Sequence, residues 1–192
     1  MPSLILSRLA SFALVPWMGA CAQSASFAAP HIQTCDSITL ARPGVGVAYK
    51  GTVRNDDYGV KIDIPGGLTG WGGVAPEAPF HGFVIFLPDS PRSCIGFRIQ
   101  LRVDLGDGAL PERHHAGKAA AVGNRRGWED DRSGVVNGTA LTNVTITFSV
   151  PHRREIYDGS VWLVTPTEEL EKEMPTFRKF VSGIRFDAEE GH

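Results

Sequence analysis

Residues 94–104 read CIGFRIQLRVD and carry the clearest strand pattern in the chain. Every second residue is apolar, and the residues between are small, polar or charged. The apolar set is Ile95, Phe97, Ile99, Leu101 and Val103, and the intervening set is Gly96, Arg98, Gln100, Arg102 and Asp104. This alternation predicts a strand of an antiparallel sheet with one buried face and one solvated face.

Further strand patterns lie on both sides of this segment. Residues 82–87 form a continuous apolar run typical of a central strand, and residues 144–150 and 161–164 also predict strands. The runs 45–53 and 58–64 alternate around a turn-forming segment, which predicts a β-hairpin. We expect residues 65–80, with five glycines and three prolines, to form a long loop.

Residues 105–138 show no sustained strand pattern. The sequence therefore predicts a surface excursion there, with at most one short helix at residues 116–122.

A helix is predicted near the C-terminus. Thr165 can cap it, Pro166 suits its first position, and Glu168 completes a capping box. Apolar residues then recur at three- and four-residue spacing from position 170 to 184. We expect Pro175 to kink or split this helix. Ser182-Gly183 should end it, and residues 184–186 can add a short last strand.

These elements predict one α+β domain over residues 35–192, with a mostly antiparallel sheet of about six strands and the C-terminal helix packed on one face. The early strand that ends at Pro65-Gly66 and the late helix that closes on residues 182–186 (SGIRF) are similar to the PsbP-like fold of small exported proteins. This resemblance implies a fold and no particular activity.

The first 21 residues have the features of a secretory signal peptide. An apolar stretch at residues 9–18 follows Arg8 and precedes small residues. Residues 18–21 (MGAC) resemble the lipobox of bacterial lipoproteins, with Met where Leu is usual, which implies lipidation of Cys21. Ordinary cleavage after Ala22 or Ala28 is the alternative. Residues 22–34 then form a tether.

Cysteine parity predicts a disulfide. The chain has three cysteines, and an exported protein seldom keeps an unpaired thiol in an oxidising compartment. If Cys21 carries lipid, Cys35 and Cys94 remain as a pair.

Composition and motifs exclude several functional classes. Lys and Arg number 19 and Asp and Glu 21, a net charge of -2, which argues against nucleic-acid binding. The chain lacks a G-x-S-x-G nucleophile motif, a complete phosphate-binding loop and an H-E-x-x-H zinc motif. We therefore expect no metal and no cofactor.

Six residues are candidates for a binding site. Trp71 lies in the glycine-rich segment and can anchor a partner or fold back on the core, and His81 follows that segment. A locally basic stretch suited to an anionic lipid, a glycan or an acidic protein supplies Arg113, His114, Arg126 and Trp128. The alternatives are a hydrogen-bonded structural role for His81 and a solvated loop position for His114.

The sequence thus predicts an exported, lipid-anchored protein of the bacterial cell envelope, on its periplasmic side, or a secreted one. We expect a non-catalytic binding, accessory or inhibitor module whose partners are an envelope protein or glycan and, through the lipid, the membrane. The alternative is a small periplasmic hydrolase or metal-dependent enzyme that uses His81 or His114.

Overall fold

The computed structural model describes residues 46–72, 81–102 and 117–187, together with residues 32, 34, 35 and 43. The predicted signal peptide, with Cys21 and most of the tether, lies outside the described residues. Within the described residues, no helix has the length and apolar character needed to cross a membrane.

The described part contains eleven strands and one α-helix, in an α+β arrangement. In chain order the elements are β1 (Val47–Tyr49), β2 (Thr52–Asn55), β3 (Val60–Asp63), β4 (Gly70–Gly72), β5 (Gly82–Phe86), β6 (Cys94–Leu101), β7 (Lys118–Val122), β8 (Arg125–Val136), β9 (Thr139–His152), β10 (Glu155–Pro166), α1 (Leu170–Ser182) and β11 (Ile184–Phe186). A short 3-10 turn, Thr167–Glu169, leads into α1.

The strands form two antiparallel sheets. The large sheet has the order β1-β4-β5-β6-β10-β9-β8-β7, and the small sheet has the order β11-β3-β2. The predicted strands near residues 82–87, 94–104, 144–150 and 161–164 are therefore confirmed as β5, β6, β9 and β10. The sheet is larger than the six strands expected, because several strands have no apolar alternation that marks them.

Helix α1 and the small sheet cover one face of the large sheet, which we call the inner face. Ile95, Phe97 and Ile99 of β6 are almost wholly buried there, as the alternation predicted. Phe177 and Phe180 of α1 join them in the same apolar cluster, together with residues of the small sheet. Leu101, at the end of β6, is 44% exposed, so the buried stripe is shorter than predicted.

The early part of the chain departs from prediction in two places. The first alternating run divides at Gly51 (φ +64°), so that β1 pairs with β4 in the large sheet, whereas β2 forms the expected hairpin with β3 in the small sheet. Trp71 lies in strand β4 instead of a loop. Its glycine neighbours fit because Gly70 and Gly72 lie so close to Phe83 and Gly82 that a Cβ would clash.

Residues 117–136 form the hairpin β7–β8. The predicted surface excursion and short helix are therefore wrong for these residues. The alanines of β7 favour a helix locally, but pairing with β8 overrides that weak preference. Strand β8 escaped detection because its inner-face positions are not consistently apolar; Glu129, for example, accepts hydrogen bonds from Arg178 of α1.

The helix start also differs from the capping-box prediction. Thr165 lies in β10, its hydroxyl lies 2.7 Å from that of Ser93, and no side chain caps the helix. Pro175 does not split α1, because Phe177 and Phe180 beyond it are held in the core. Ser182 and Gly183 end the helix and β11 follows, as predicted.

The predicted disulfide between Cys35 and Cys94 is present, with 5.9 Å between the Cα atoms and both residues buried. It attaches the N-terminal side of the domain to the large sheet, on the face opposite α1. Ile32 lies on the same face, since a Cβ on Gly134 of β8 would meet its Cγ1 at 2.8 Å.

Candidate functional site

The face of the large sheet that points away from α1 carries the polar half of the strand alternation. We call it the outer face. On β6 it presents Arg98 and Gln100, both exposed, and on β10 it presents Ser160 and Trp162, both half-buried. The described part of the chain covers this face only near the disulfide.

The strand register places four outer-face residues in one row across the sheet. Arg98 is opposite Ser160, Ser160 is opposite Thr147, and Thr147 is opposite Trp128. With about 4.8 Å between neighbouring strands, roughly 14 Å separate the backbones of Arg98 and Trp128. The row thus has a cation at one end, an aromatic ring at the other, and two hydroxyl groups between them.

Arg126 lies next to the Trp128 end of this row, on the same strand. Its guanidinium carbon lies 4.5 Å from the centre of the Trp128 ring, within the range of a cation–π interaction. The two residues are two positions apart on β8 and therefore project from the same face. The stacking restrains an exposed arginine that keeps its hydrogen-bond donors available.

A second polar group lies beside the row, where Arg102 and Asp158 form an ion pair. The Nε atom of Arg102 donates to Asp158 at 3.0 Å, and its Nη2 atom donates to Ser149 at 2.7 Å. Ser149 in turn donates to Asp158 at 2.8 Å. The charge of Asp158 is therefore balanced within the face.

The outer face has a net positive charge. Its described acidic residues are Asp158, paired with Arg102, and Asp130, paired with Arg132 at 2.8 Å. Arg98 and Arg126 form no ion pair with other described residues, which leaves two positive charges in excess. A chain with a net charge of -2 thus concentrates positive charge on one side.

Near the disulfide the outer face becomes apolar. Trp71, Phe86 and Trp162 pack, partly exposed, against a buried cluster that includes the disulfide. The indole of Trp162 lies on Gly96, where any Cβ would clash with the ring. The buried Nε1 atom of Trp162 has no hydrogen-bond partner among the described residues.

His81 belongs to a different group, on the inner side of the sheet. Its Nδ1 atom lies 2.5 Å from the hydroxyl of Tyr58, whose ring meets Tyr157 edge-on with 5.0 Å between centroids. The Tyr157 hydroxyl donates to Glu155. Burial, and secondly this hydrogen bond, raise the pKa of Tyr157 to about 12, and burial also raises the pKa of Tyr58.

His81 therefore has the kind of hydrogen-bond partner that its structural alternative expects. The described residues also contain no group of three or more His, Cys, Asp or Glu side chains able to hold a metal.

The structure brings three of the predicted site residues, Trp71, Arg126 and Trp128, onto one face and places His81 elsewhere. Arg113 and His114 lie outside the described residues. Sequence reasoning missed Arg98 and Trp162. The signal for Arg98 was present in the polar half of residues 94–104, which was interpreted only as a solvated face.

Similarity to known proteins is found among solved structures. No family model and no curated protein matches the chain. A structure from Bacteroides thetaiotaomicron matches 76% of this chain at 10% identity and TM-score 0.49. This chain spans only 50% of the length of that protein.

Two further similar structures are those of named proteins. LpqN of Mycobacterium tuberculosis, described as involved in cell envelope biogenesis, has 16% identity and TM-score 0.49 over 73% of this chain and 92% of its own. The PsbP of Synechocystis sp. PCC 6803 has 12% identity and TM-score 0.39 over 77% of this chain and 98% of its own. Structural likeness at this level assigns neither a family nor an activity.

Proposed function

We propose that this protein is an exported, lipid-anchored envelope protein that acts without catalysis and binds an acidic glycan through the outer face of its large sheet. The observation that carries the proposal is the positive charge excess of the outer face, where Arg126 stacks on Trp128 and Arg98 lies at the other end of the row, with the hydroxyl groups of Ser160 and Thr147 between them. Arginine side chains bind carboxylates through two parallel hydrogen bonds.

A glycan suits this face better than a protein surface does. Stable protein interfaces have an apolar centre with few charges. Among the exposed large apolar residues of the described part, Leu101, Val135 and Ile156, only Ile156 lies on the outer face, at its margin. The centre of the face instead offers arginines, hydroxyls and an aromatic ring, which match carboxylates, sugar hydroxyls and the apolar faces of sugar rings.

Export is supported by the Cys35–Cys94 disulfide, because disulfides persist in oxidising compartments. The proposed anchor at Cys21 rests on the lipobox-like residues 18–21. An anchored protein of this kind would meet the peptidoglycan, a glycan polymer whose peptide stems carry carboxylates, which makes peptidoglycan the ligand to test first.

The test is cosedimentation of the full chain, purified from the envelope in detergent, with isolated peptidoglycan sacculi at low salt. The mass of the purified chain shows whether Cys21 carries lipid. We expect the wild type to sediment and the double variant Arg98→Gln/Arg126→Gln to bind about fivefold more weakly, since two exposed ion pairs of about 0.5 kcal/mol each correspond to that factor.

Lys179→Gln/Arg185→Gln is the matched control. Lys179 and Arg185 are exposed cations of α1 and β11, away from the outer face, and replacing both changes the net charge by the same amount. It should leave sedimentation unchanged. Wild-type protein that stays in the supernatant, or a double variant that binds like the wild type, would contradict the proposal.

A further inference from the structure

The turn between β9 and β10 has an unusual sequence for its backbone conformation. Its two central residues, Arg153 and Arg154, have φ angles of +49° and +69°. Two-residue hairpin turns with positive φ at both positions strongly favour Asn-Gly, because side chains with a bulky Cβ substituent are disfavoured there. The turn between β8 and β9 has that usual sequence, Asn137-Gly138, with φ angles of +51° and +78°.

Neighbouring residues hold the Arg153–Arg154 turn in place. The imidazole of His152 lies on Gly59, where a Cβ would clash with it, and its Nε2 atom is 3.1 Å from the carbonyl oxygen of Asp56. Arg153 lies 3.7 Å from Asp57, with both side chains largely exposed. Arg154 is exposed and forms no ion pair with other described residues. Unfavourable backbone conformations that the surrounding fold maintains are found preferentially at functional sites.

The turn lies at one end of the large sheet, beyond Arg102 of the outer face. The backbone amide of Arg102 donates to the carbonyl oxygen of Ile156, two residues beyond Arg154. Farther along β10, Ser160 is opposite Arg98. Six residues separate Ser160 from Arg154, which corresponds to about 20 Å at 3.4 Å per residue. Arg98, Arg102 and the two turn arginines thus follow one direction along the sheet.

We infer that the Arg153–Arg154 turn is a second contact for the acidic glycan, so that the ligand is a polymer with repeated negative charges that runs about 20 Å from Arg98 to the turn. This inference rests on the proposed function and specifies its ligand class. A single acidic sugar would reach the row at Arg98 or the turn, but not both.

The sacculus cosedimentation assay tests the inference with three double variants. Arg153→Gln/Arg154→Gln removes the charges and should weaken binding about fivefold, as for two exposed ion pairs. Arg153→Lys/Arg154→Lys keeps the charges and should bind within about twofold of the wild type. Arg153→Asn/Arg154→Gly should bind as weakly as the Gln variant, yet melt about 2–4 °C higher, because it relieves the backbone conformation.

The outcomes separate the two proposals. If Arg153→Gln/Arg154→Gln binds sacculi like the wild type while Arg98→Gln/Arg126→Gln does not, the turn is no contact and the proposed function stands. If the wild type does not bind sacculi, the proposed function and this inference both fail. If the melting temperature of the Arg153→Asn/Arg154→Gly variant does not rise, the two arginines do not destabilise the fold. The backbone conformation of the turn then gives no support to the inference.

Discussion

Strand β9 has a two-residue turn at each end, and the two turns reach similar backbone angles with different residues. Asn137-Gly138 suits positive φ by itself, whereas Arg153-Arg154 does not. The first turn is therefore encoded locally. The second is imposed by the packing of His152 on Gly59 and by the pairing of β9 with β10. An unfavourable turn that the fold sustains is a stronger pointer to function than a favourable one.

The two ends of the large sheet, at which these turns lie, also differ in the contacts around them. Near the end of the sheet that carries Asn137-Gly138, the disulfide and the buried Ser93–Thr165 hydrogen bond hold the domain together. Near Arg153-Arg154, half-exposed polar contacts predominate, such as that between Tyr58 and His81. We accordingly expect the largest losses of stability from changes near the first end and the largest losses of binding from changes near the second.

The largest expected effect on stability is that of removing the disulfide. The double variant Cys35→Ser/Cys94→Ser should lower the free energy of unfolding by about 2–5 kcal/mol, because the cross-link no longer restrains the unfolded chain. Chemical denaturation of both proteins without reductant measures the difference. The fraction of the variant that remains folded should bind sacculi like the wild type. Weaker binding by this fraction would contradict the assignment of stability to one end of the sheet and of binding to the other.

Exchanging the turn sequences gives a smaller effect. Asn137→Arg/Gly138→Arg should lower the free energy of unfolding by about 1–2 kcal/mol, since two bulky residues then adopt positive φ. Thermal unfolding measures it against Asn137→Gly, which keeps a residue tolerant of positive φ at that position. If the Arg-Arg sequence is tolerated there without loss, the contrast between the two turns has no energetic basis.

The pH dependence of stability gives a test at the Arg153-Arg154 end that is confined to alkaline solution. The pKa of Tyr157 is raised to about 12 in the folded state, and in the unfolded chain it is about 10. The folded state therefore holds the proton more tightly, so the stability from Tyr157 is complete below pH 10 and is lost as the pH rises to about 12.

Tyr157→Phe removes this titration. The free energy of unfolding of the variant should fall less steeply between pH 10 and about 12 than that of the wild type, in denaturation series at matched pH. Part of the slope should remain, because the pKa values of Tyr58 and Tyr49 are also raised by burial. Equal slopes in both proteins would show that the hydroxyl of Tyr157 has no raised pKa.

Much of the candidate site was visible in the sequence only as separate residues. Trp71, Arg126 and Trp128 were singled out by residue type, but their shared face depends on strands β4 and β8, which have no detectable periodicity. Arg98 was assigned to the correct side of its strand. Its row with Ser160, Thr147 and Trp128 follows from strand register, which joins positions far apart in the chain.

Features that depend on local pattern or on simple counting could be predicted from the sequence. The buried stripe of residues 95–99, the apolar face of α1 and the Cys35–Cys94 pairing belong to this group. Each follows from the period of one element or from the parity of three cysteines.

Three other features depend on the tertiary structure. Residues 118–136 form strands, Trp71 joins the sheet, and two arginines occupy a tight turn. In each case long-range pairing outweighs a weak or contrary local preference, because hydrogen bonding to a neighbouring strand satisfies the backbone whatever side chains it carries. The positive outer face arises in the same way, since the register brings side chains from distant parts of the chain onto one surface.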